Sequence, residues 1–533
     1  MLQGTASHVG KSLLVAALCR IFKGEGLRVA PFKAQNMALN SFVTKDGGEI
    51  GTAQAFQAEA AGIEPTTDIN PILLKPTSDV GSQVIIHGRV YKNMKATEYH
   101  RFKKEVVGFV LESYNRLAKE YDVIVIEGAG SPAEVNLRDG DIANMGLAEL
   151  LNAPVILIGD IDRGGVFAHL VGTMELLAPS ERERVKGFII NKFRGDIGLL
   201  RPGIDFLEDR TGLPVLGVVP YLNDIMLPDE DGVVLEEVKS QKSKVKSEDI
   251  PTAIIKLPRI SNFTDFDPFR FEPDVAIRYI TSPNRLEGAD LVIIPGSKNT
   301  LEDLQWLWET GLAEAIIEYA EMGGRVIGIC GGFQMLGRTV KDPYWIESGV
   351  GEVKGLGLLD VETVLEREKR TYQIEAVVKG FKGSRGQGVK GLKGGSRSTA
   401  HGSRVKGYEI HMGETVSNGR PFSVITKRGN NPVNIKEGAT SSDGRIWGTY
   451  IHGIFENDGF RTGFLNEVRA AKGLPTRRVV PFREKRDEGI DRLAGIVWRS
   501  VDMQGIYAIM GLSLSSFPPS WEGARGGGFD ERL

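Results

Sequence analysis

Cysteine is nearly absent: Cys19 and Cys330 are the only thiols in 533 residues, too few for a disulfide framework. Neither sign of charge is in excess. A net charge of -3, with 25% of residues charged, offers no basic field for nucleic acid and no polybasic face for a membrane. Long apolar runs are missing too, none approaching the roughly eighteen residues that cross a bilayer. The opening residues lack the basic and apolar regions of an export signal, because a glycine-rich loop arrives at Gly4. These absences lead us to expect a cytoplasmic protein with no nucleic-acid and no membrane partner. Histidine is scarce as well, and the seven present narrow the candidates for proton transfer.

What is present is a chain too long for one ordinary core, so two or more domains are expected. The first half alternates short apolar strands with helical patterns: LRVAPFK (27–33), YDVIVIEGAG (121–130), APVILIGDIDRGG (153–165), VKGFIINKFRGD (185–196) and LPVLGVVPY (213–221). Runs such as VIVIEG and VILIGD are apolar almost throughout, as strands of a parallel sheet covered on both faces must be. This predicts a doubly wound α/β domain over 1–238, with functional residues on loops at the carboxyl ends of the strands. A charged, Ser-rich stretch suggests a linker at 239–250. Strand signals resume in TAIIKLP, VAIRYI, ADLVIIPGS, GGRVIGICGG and GRIWGTYIHG, a second α/β domain over 251–470. Within it, 379–404 is basic and Gly-rich and reads as a solvated insertion. Residues 471–512 read as a C-terminal extension and 513–533 as a disordered tail.

The loop GTASHVGKS (4–12) has the form G-x5-G-K-S, one residue longer than the usual phosphate-loop spacing, and runs into the helical SLLVAALCRIF. Gly4, Thr5 and Gly10 would let backbone N–H groups wrap phosphate oxygens, Lys11 would reach the outer phosphates, and Ser12 would ligate Mg2+. Only Met1 to Gln3 precede it, where a full strand is usual, so further chain upstream is expected. Glu127 ends the strand YDVIVIEGAG, where a carboxylate can meet the metal. Lys33, in PFKAQN, ends another strand and would touch phosphate or a substrate carboxylate.

The stretch GGRVIGICGGFQMLG places Cys330 between small residues, at the junction of a strand and a helix. A thiol on such an elbow has the form of a nucleophile, with its thiolate favoured by the helix N-terminus and a nearby histidine. His452 in GTYIHGIF is the best base, with His411 in GYEIHMGE the rival. Gly331 N–H, with an N–H from Gly296 or Ser297 in PGSKN, would form the oxyanion hole.

Together PGSKNT, GICGGFQMLG, YEIHMGET and YIHGIF resemble a class I glutamine amidotransferase, in particular the glutaminase of the cobyric acid and cobyrinic acid diamide synthases. The loop and EGAG motif resemble dethiobiotin synthetase. FKAQNMALNSF, LLKPTSDVGSQVIIHGR, GSPAEVNLRDGDIANMGLAELL, DIDRGGVFA, NKFRGD and LPRISNFTDFDPF are similar to the cobyric acid synthase branch. The resemblance implies ATP- and Mg2+-dependent amidation of a corrinoid, adenosylcobyrinic acid a,c-diamide, with nitrogen from glutamine and no tightly bound organic cofactor. It adds Asn191, in NKFRGD, to the nucleotide site. Two departures stand out. Ile454 occupies the place of the usual triad glutamate, which leaves a Cys–His dyad, and Thr52 lies near the place of a metal-binding aspartate, with Glu49 and Asp46 as nearby acids. Lys33, Lys75, Arg89 and Arg138 are expected to hold substrate carboxylates. An a,c-diamide synthase or another ligase of the same architecture remains open, as does a P-loop ATPase partner with an inactive glutaminase-like module.

Overall fold

The computed structural model describes residues 1–77, 81–222, 246–347, 349–379 and 402–512. The tail at 513–533, residues 380–401 of the expected insertion and residues 239–245 of the expected linker lie outside the described residues.

The first sheet is parallel. Val29–Phe32 pairs with Val123–Ile126, and a bridge from Glu127 to Leu2 joins that pair to Leu2–Gly4. Next to these lie Val155–Asp160, Val185–Phe193 and Val215–Pro220. Every residue of Val155–Asp160 is buried, because helices cover both faces. Lys11–Gly24 packs on one face, and Val166–Leu176 and Ile197–Thr211 pack on the other. A second layer of strands, Gln35–Met37, Ile72–Pro76, Gly81–Ile86 and Arg89–Lys95, brings the segment 35–43 toward the second domain.

The expected C-terminal extension is not an appendage. Phe482–Ser500 packs against Lys11–Gly24, and Ile490, Leu493, Ala494 and Val497 join the core beneath the phosphate loop. Val501 bridges Gly217 at the sheet edge. Arg20 ties the two helices together, with Nε 2.6 Å from Asp491 and an amino nitrogen 2.7 Å from Asp487. The amphipathic period of 482–500 signals a helix but carries no information on which core it completes. Leu493→Ala, at a fully buried position, is expected to destabilise the first domain by about 2–5 kcal/mol. Thermal unfolding would reveal this as a lower midpoint for that domain.

The second domain centres on six strands in the order Val275–Ile280, Ile250–Ile255, Leu291–Ile294, Arg325–Ile329, Ile446–Thr449 and Ala439–Thr440, parallel except for the last pair. An antiparallel sheet flanks it, built on Val361–Val378 paired with Ser403–Ser417. This corrects the insertion boundary, since Ser403 and Arg404 pair with Val378 and Val377. In 403–407 the buried Val405 lies between exposed Arg404 and Lys406. Such alternation on a half-solvated strand has the composition of a basic loop.

The domains meet through polar contacts around residues 40–49. Ser41 N–H donates to Asn262 Oδ1 at 2.9 Å, Tyr408 Oη to Ser41 O at 3.0 Å and Thr371 Oγ1 to Gly47 O at 2.7 Å.

Candidate active site

Cys330 lies at the end of Arg325–Ile329 and begins the short helix Gly331–Met335. Its backbone, at φ 52° and ψ -109°, is in a region that side chains seldom enter. Close packing holds it there: a Cβ on Gly332 would lie 2.0 Å from Ile294 O, and one on Gly328 2.5 Å from Gly332 O. Cys330 N–H donates to Thr449 O at 2.8 Å, tying the elbow to the strand that leads to His452.

His452 Nδ1 is 2.7 Å from Asp265 Oδ2, and Asp265 Oδ1 accepts from Gly453 N–H at 2.8 Å. Both side chains are buried. Burial opposes protonation of the imidazole. The charge and hydrogen bond of Asp265, followed by hydrogen bonding to Cys330, outweigh it and push His452 up to about 10. Tyr408 stacks on the imidazole with centroids 5.3 Å apart. Asp265 thus stands beside the expected Cys330–His452 pair, in the place that the sequence left open for a third member. The carboxylate comes from the turn Phe263–Phe266, far upstream of the histidine. The motif LPRISNFTDFDPF contained this acid, but nothing local ties it to a histidine so distant in sequence. The rival His411 is held elsewhere: Nδ1 lies 2.8 Å from Gly413 O, and the ring stacks on Tyr450 at 3.8 Å.

Gly296–Ser297 pairs antiparallel with Ile260–Ser261. A Cβ on Gly331 would lie 2.9 Å from Ser297 N, and one on Gly296 would lie 3.5 Å from His452 Cε1. Gly331, Gly296 and Ser297 thus pack together beside the elbow and the imidazole. Asp265→Asn is expected to leave ammonium-driven synthesis unchanged. Glutamine-driven synthesis should fall by about 10²–10⁴-fold, because the amide no longer fixes the tautomer or stabilises the imidazolium. Steady-state rates with each nitrogen source test this.

At the phosphate loop, Gly10 has φ 94°, and a Cβ there would sit 2.2 Å from Asn191 Nδ2, so both conformation and packing demand glycine. Asn191 donates to Val9 O at 2.8 Å and so holds the loop from behind. Thr5 N–H donates to Ile158 O at 2.9 Å, and Gly4 packs on Val9 and Lys11. Lys11 Nζ lies 3.1 Å from Ala6 O and 3.2 Å from Gly130 O. Glu127 is buried among Ser12 Oγ at 2.8 Å, Lys33 Nζ at 2.8 Å and Gln57 Nε2 at 2.5 Å.

The oxygens of Ser12 and Glu127 suit a hard cation, and Thr5 Oγ1 and Gln57 Oε1 are buried without hydrogen-bond partners among the described residues. No group of three acidic, His or Cys side chains forms a metal cage among the described residues. The set fits Mg2+, which keeps waters and takes phosphate oxygens. Neither nearby acid turns to this place. Glu49 is held by Lys75 at 2.9 Å and by Lys369 from the other domain, and Asp46 accepts from Thr44. Burial disfavours the Glu49 charge, yet the two lysines hold its carboxyl well below the usual range.

A cavity of about 940 Å3 connects the two domains. Lys11, Lys33 and Arg138 line one side, and Lys256, Phe263 and Trp306 the other. Two of the four expected substrate cations, Lys33 and Arg138, lie on its wall. Lys75 is instead buried against Glu49, and Arg89 is exposed with its guanidinium 3.2 Å from Asp46 O. Both depend on chain crossings that sequence position cannot report.

A P-loop nucleotide-binding domain joined to a class I glutamine amidotransferase domain is the class that this fold and these clusters define. Residues 1–235 match the CobQ/CobB/MinD/ParA nucleotide binding domain, and 252–460 match the CobB/CobQ-like glutamine amidotransferase domain. Cobyric acid synthase of Caldanaerobacter subterraneus subsp. tengcongensis is 54% identical over 513 residues, 96% of this chain and 98% of that one. Those of Thermoanaerobacter sp. (strain X514) and Dehalococcoides mccartyi (strain ATCC BAA-2266 / KCTC 15142 / 195) are 52% and 50% identical, over 96% of this chain and 98% and 97% of theirs. The chain belongs to the cobyric acid synthase family, a family of ligases.

Proposed function

We propose that the chain amidates the b, d, e and g carboxylates of adenosylcobyrinic acid a,c-diamide, giving adenosylcobyric acid, with ATP and glutamine consumed at each step. The observation that carries this reading is the shared cavity. Its wall includes the phosphate-loop lysine on one side and, on the other, Phe263, two residues before Asp265.

A carboxylate is a poor electrophile. Phosphorylation by ATP turns it into an acyl phosphate that ammonia can attack, releasing phosphate. Residues 1–238, completed by the C-terminal helices, are the ligase domain in this reading. Gly4, Thr5 and Gly10 shape its loop around the phosphates, Asn191 supports that loop, and Lys11 clamps the transferred group. Ser12 and Glu127 would hold Mg2+, which when bound neutralises phosphate charge. Lys33 and Arg138 face the acceptor's carboxylates.

Residues 251–470 release the ammonia. Cys330 attacks the glutamine amide while His452 manages the proton and Asp265 orients the imidazole. Gly331 and the Gly296–Ser297 segment stabilise the oxyanion, and water clears the thioester. His452 stacks on Tyr408, whose hydroxyl touches Ser41 of the ligase domain, so the two sites share one polar junction. This reading places the enzyme in the cytoplasm, where ATP and glutamine are supplied.

Incubation with ATP, Mg2+, glutamine and the a,c-diamide, followed by mass spectrometry over time, tests the proposal. The expected result is stepwise replacement of four hydroxyls by amino groups, with one ATP hydrolysed per step. Reaction from unamidated cobyrinic acid that stops after two amidations would assign the chain to the a,c-diamide synthases instead.

A further inference from the structure

The segment beside the thiol also carries a cation. Lys298 follows Gly296–Ser297, is 8% exposed, and has its backbone fixed by donation to Arg259 O at 2.9 Å. Its ammonium has no hydrogen-bond or ion-pair partner among the described residues. An ammonium on so largely buried a side chain, without a contact partner, favours the arrival of an anion. The neighbouring carboxylates act on it from beyond contact distance and are already engaged. Glu347 accepts from Thr300 N–H at 2.9 Å, and Glu49 is held by Lys75 and Lys369. Burial disfavours the ammonium, Glu347, Glu49 and Cys330 favour it, and Lys75 opposes it. Its field thus overlaps that of the thiol. The backbone agrees, because Gly331 abuts Ser297 N, leaving Cys330 and Lys298 one residue to either side of a single close contact.

We propose that Lys298 binds the α-carboxylate of the glutamine whose amide is attacked by Cys330. This rests on the glutaminase reading above and adds the group that selects a free amino acid over other primary amides. Glutamine brings a carboxylate a few ångströms from its reacting carbon, so an amide seated on the thiol carries an anion into the space beside Lys298. The pairing gives the cation a contact partner that it lacks among the described residues. A site built around such a charge rejects an analogue that lacks the anion.

The test compares hydrolysis of L-glutamine with that of its α-carboxamide by the full-length enzyme, in the presence of ATP and Mg2+. Wild type is expected to prefer glutamine by about 100-fold or more in kcat/KM. Lys298→Met should lose about that factor on glutamine, mainly through KM, and discriminate less than about threefold, while Lys298→Arg recovers part of the preference. Ammonium-driven amidation of the corrinoid should be unchanged in both variants, which reports an intact fold. Should the methionine variant not fold, Lys298→Gln and Lys298→Arg carry the same comparison. Equal hydrolysis of the two compounds by wild type, or undiminished preference in a folded variant lacking the charge, would overturn the proposal. If wild type hydrolyses glutamine but amidates no corrinoid, the functional reading fails while the Lys298 comparison still decides.

Discussion

Cys330→Ala is expected to abolish synthesis from glutamine and to leave synthesis from high ammonium close to the wild-type rate. Among the described residues the thiol is the nucleophile placed against His452, and its removal takes away the atom that forms the thioester. The loss should reach several orders of magnitude, since removing a covalent nucleophile leaves only binding and oxyanion stabilisation. The proposed ligase cluster of Lys11, Ser12, Lys33 and Glu127 belongs to the other domain, where these side chains contact Ala6, Gly130 and one another. His452→Ala should give the same split between nitrogen sources. His411→Ala should not, because that ring is stacked on Tyr450 and held at Gly413 O. Parallel assays with the two nitrogen donors measure this. Equal loss with both would refute the division of labour between the domains.

Lys11→Ala and Glu127→Ala should stop amidation from either donor. Lys11 already points along the loop toward Ala6 O and Gly130 O, where phosphate oxygens would replace these weak contacts. Glu127 gathers Ser12, Lys33 and Gln57 into one buried cluster, and its truncation would break the Lys33 ion pair as well as removing the proposed metal ligand. The loss expected from a positioned phosphate clamp is on the order of a thousandfold or more. It should appear in ATP hydrolysis coupled to amidation, while uncoupled glutamine hydrolysis remains measurable. Ammonium-driven amidation that persisted in both variants would contradict the assignment.

The two clusters were legible to different degrees. The phosphate loop and the cysteine elbow are built from neighbours in the chain. Gly10, Lys11 and Ser12 at one end, and Gly328, Cys330 and Gly332 at the other, state their geometry locally because glycine is required where a Cβ would collide. The parallel strands were equally legible, since burial on both faces leaves an unbroken apolar run such as Val155–Ile158. Asp265 was not legible. It meets His452 only after the chain between them has folded into a sheet and a hairpin, and an acidic residue in a Phe-rich turn announces no partner. The ion pair of Lys75 was not legible for the same reason, since it shares Glu49 with Lys369 of the other domain.

The amino-acid sequence by itself determined the two α/β units, the loop, the elbow and the resemblance that joins them. These depend on local backbone conformation and on the apolar period of single strands. Only the tertiary structure decided which acid completes the histidine site, that the C-terminal helices finish the first core, and which lysines face the cavity. Each of these is a pairing across a long loop, where a charge or an apolar stripe can be satisfied by many partners, and only packing the whole chain selects among them.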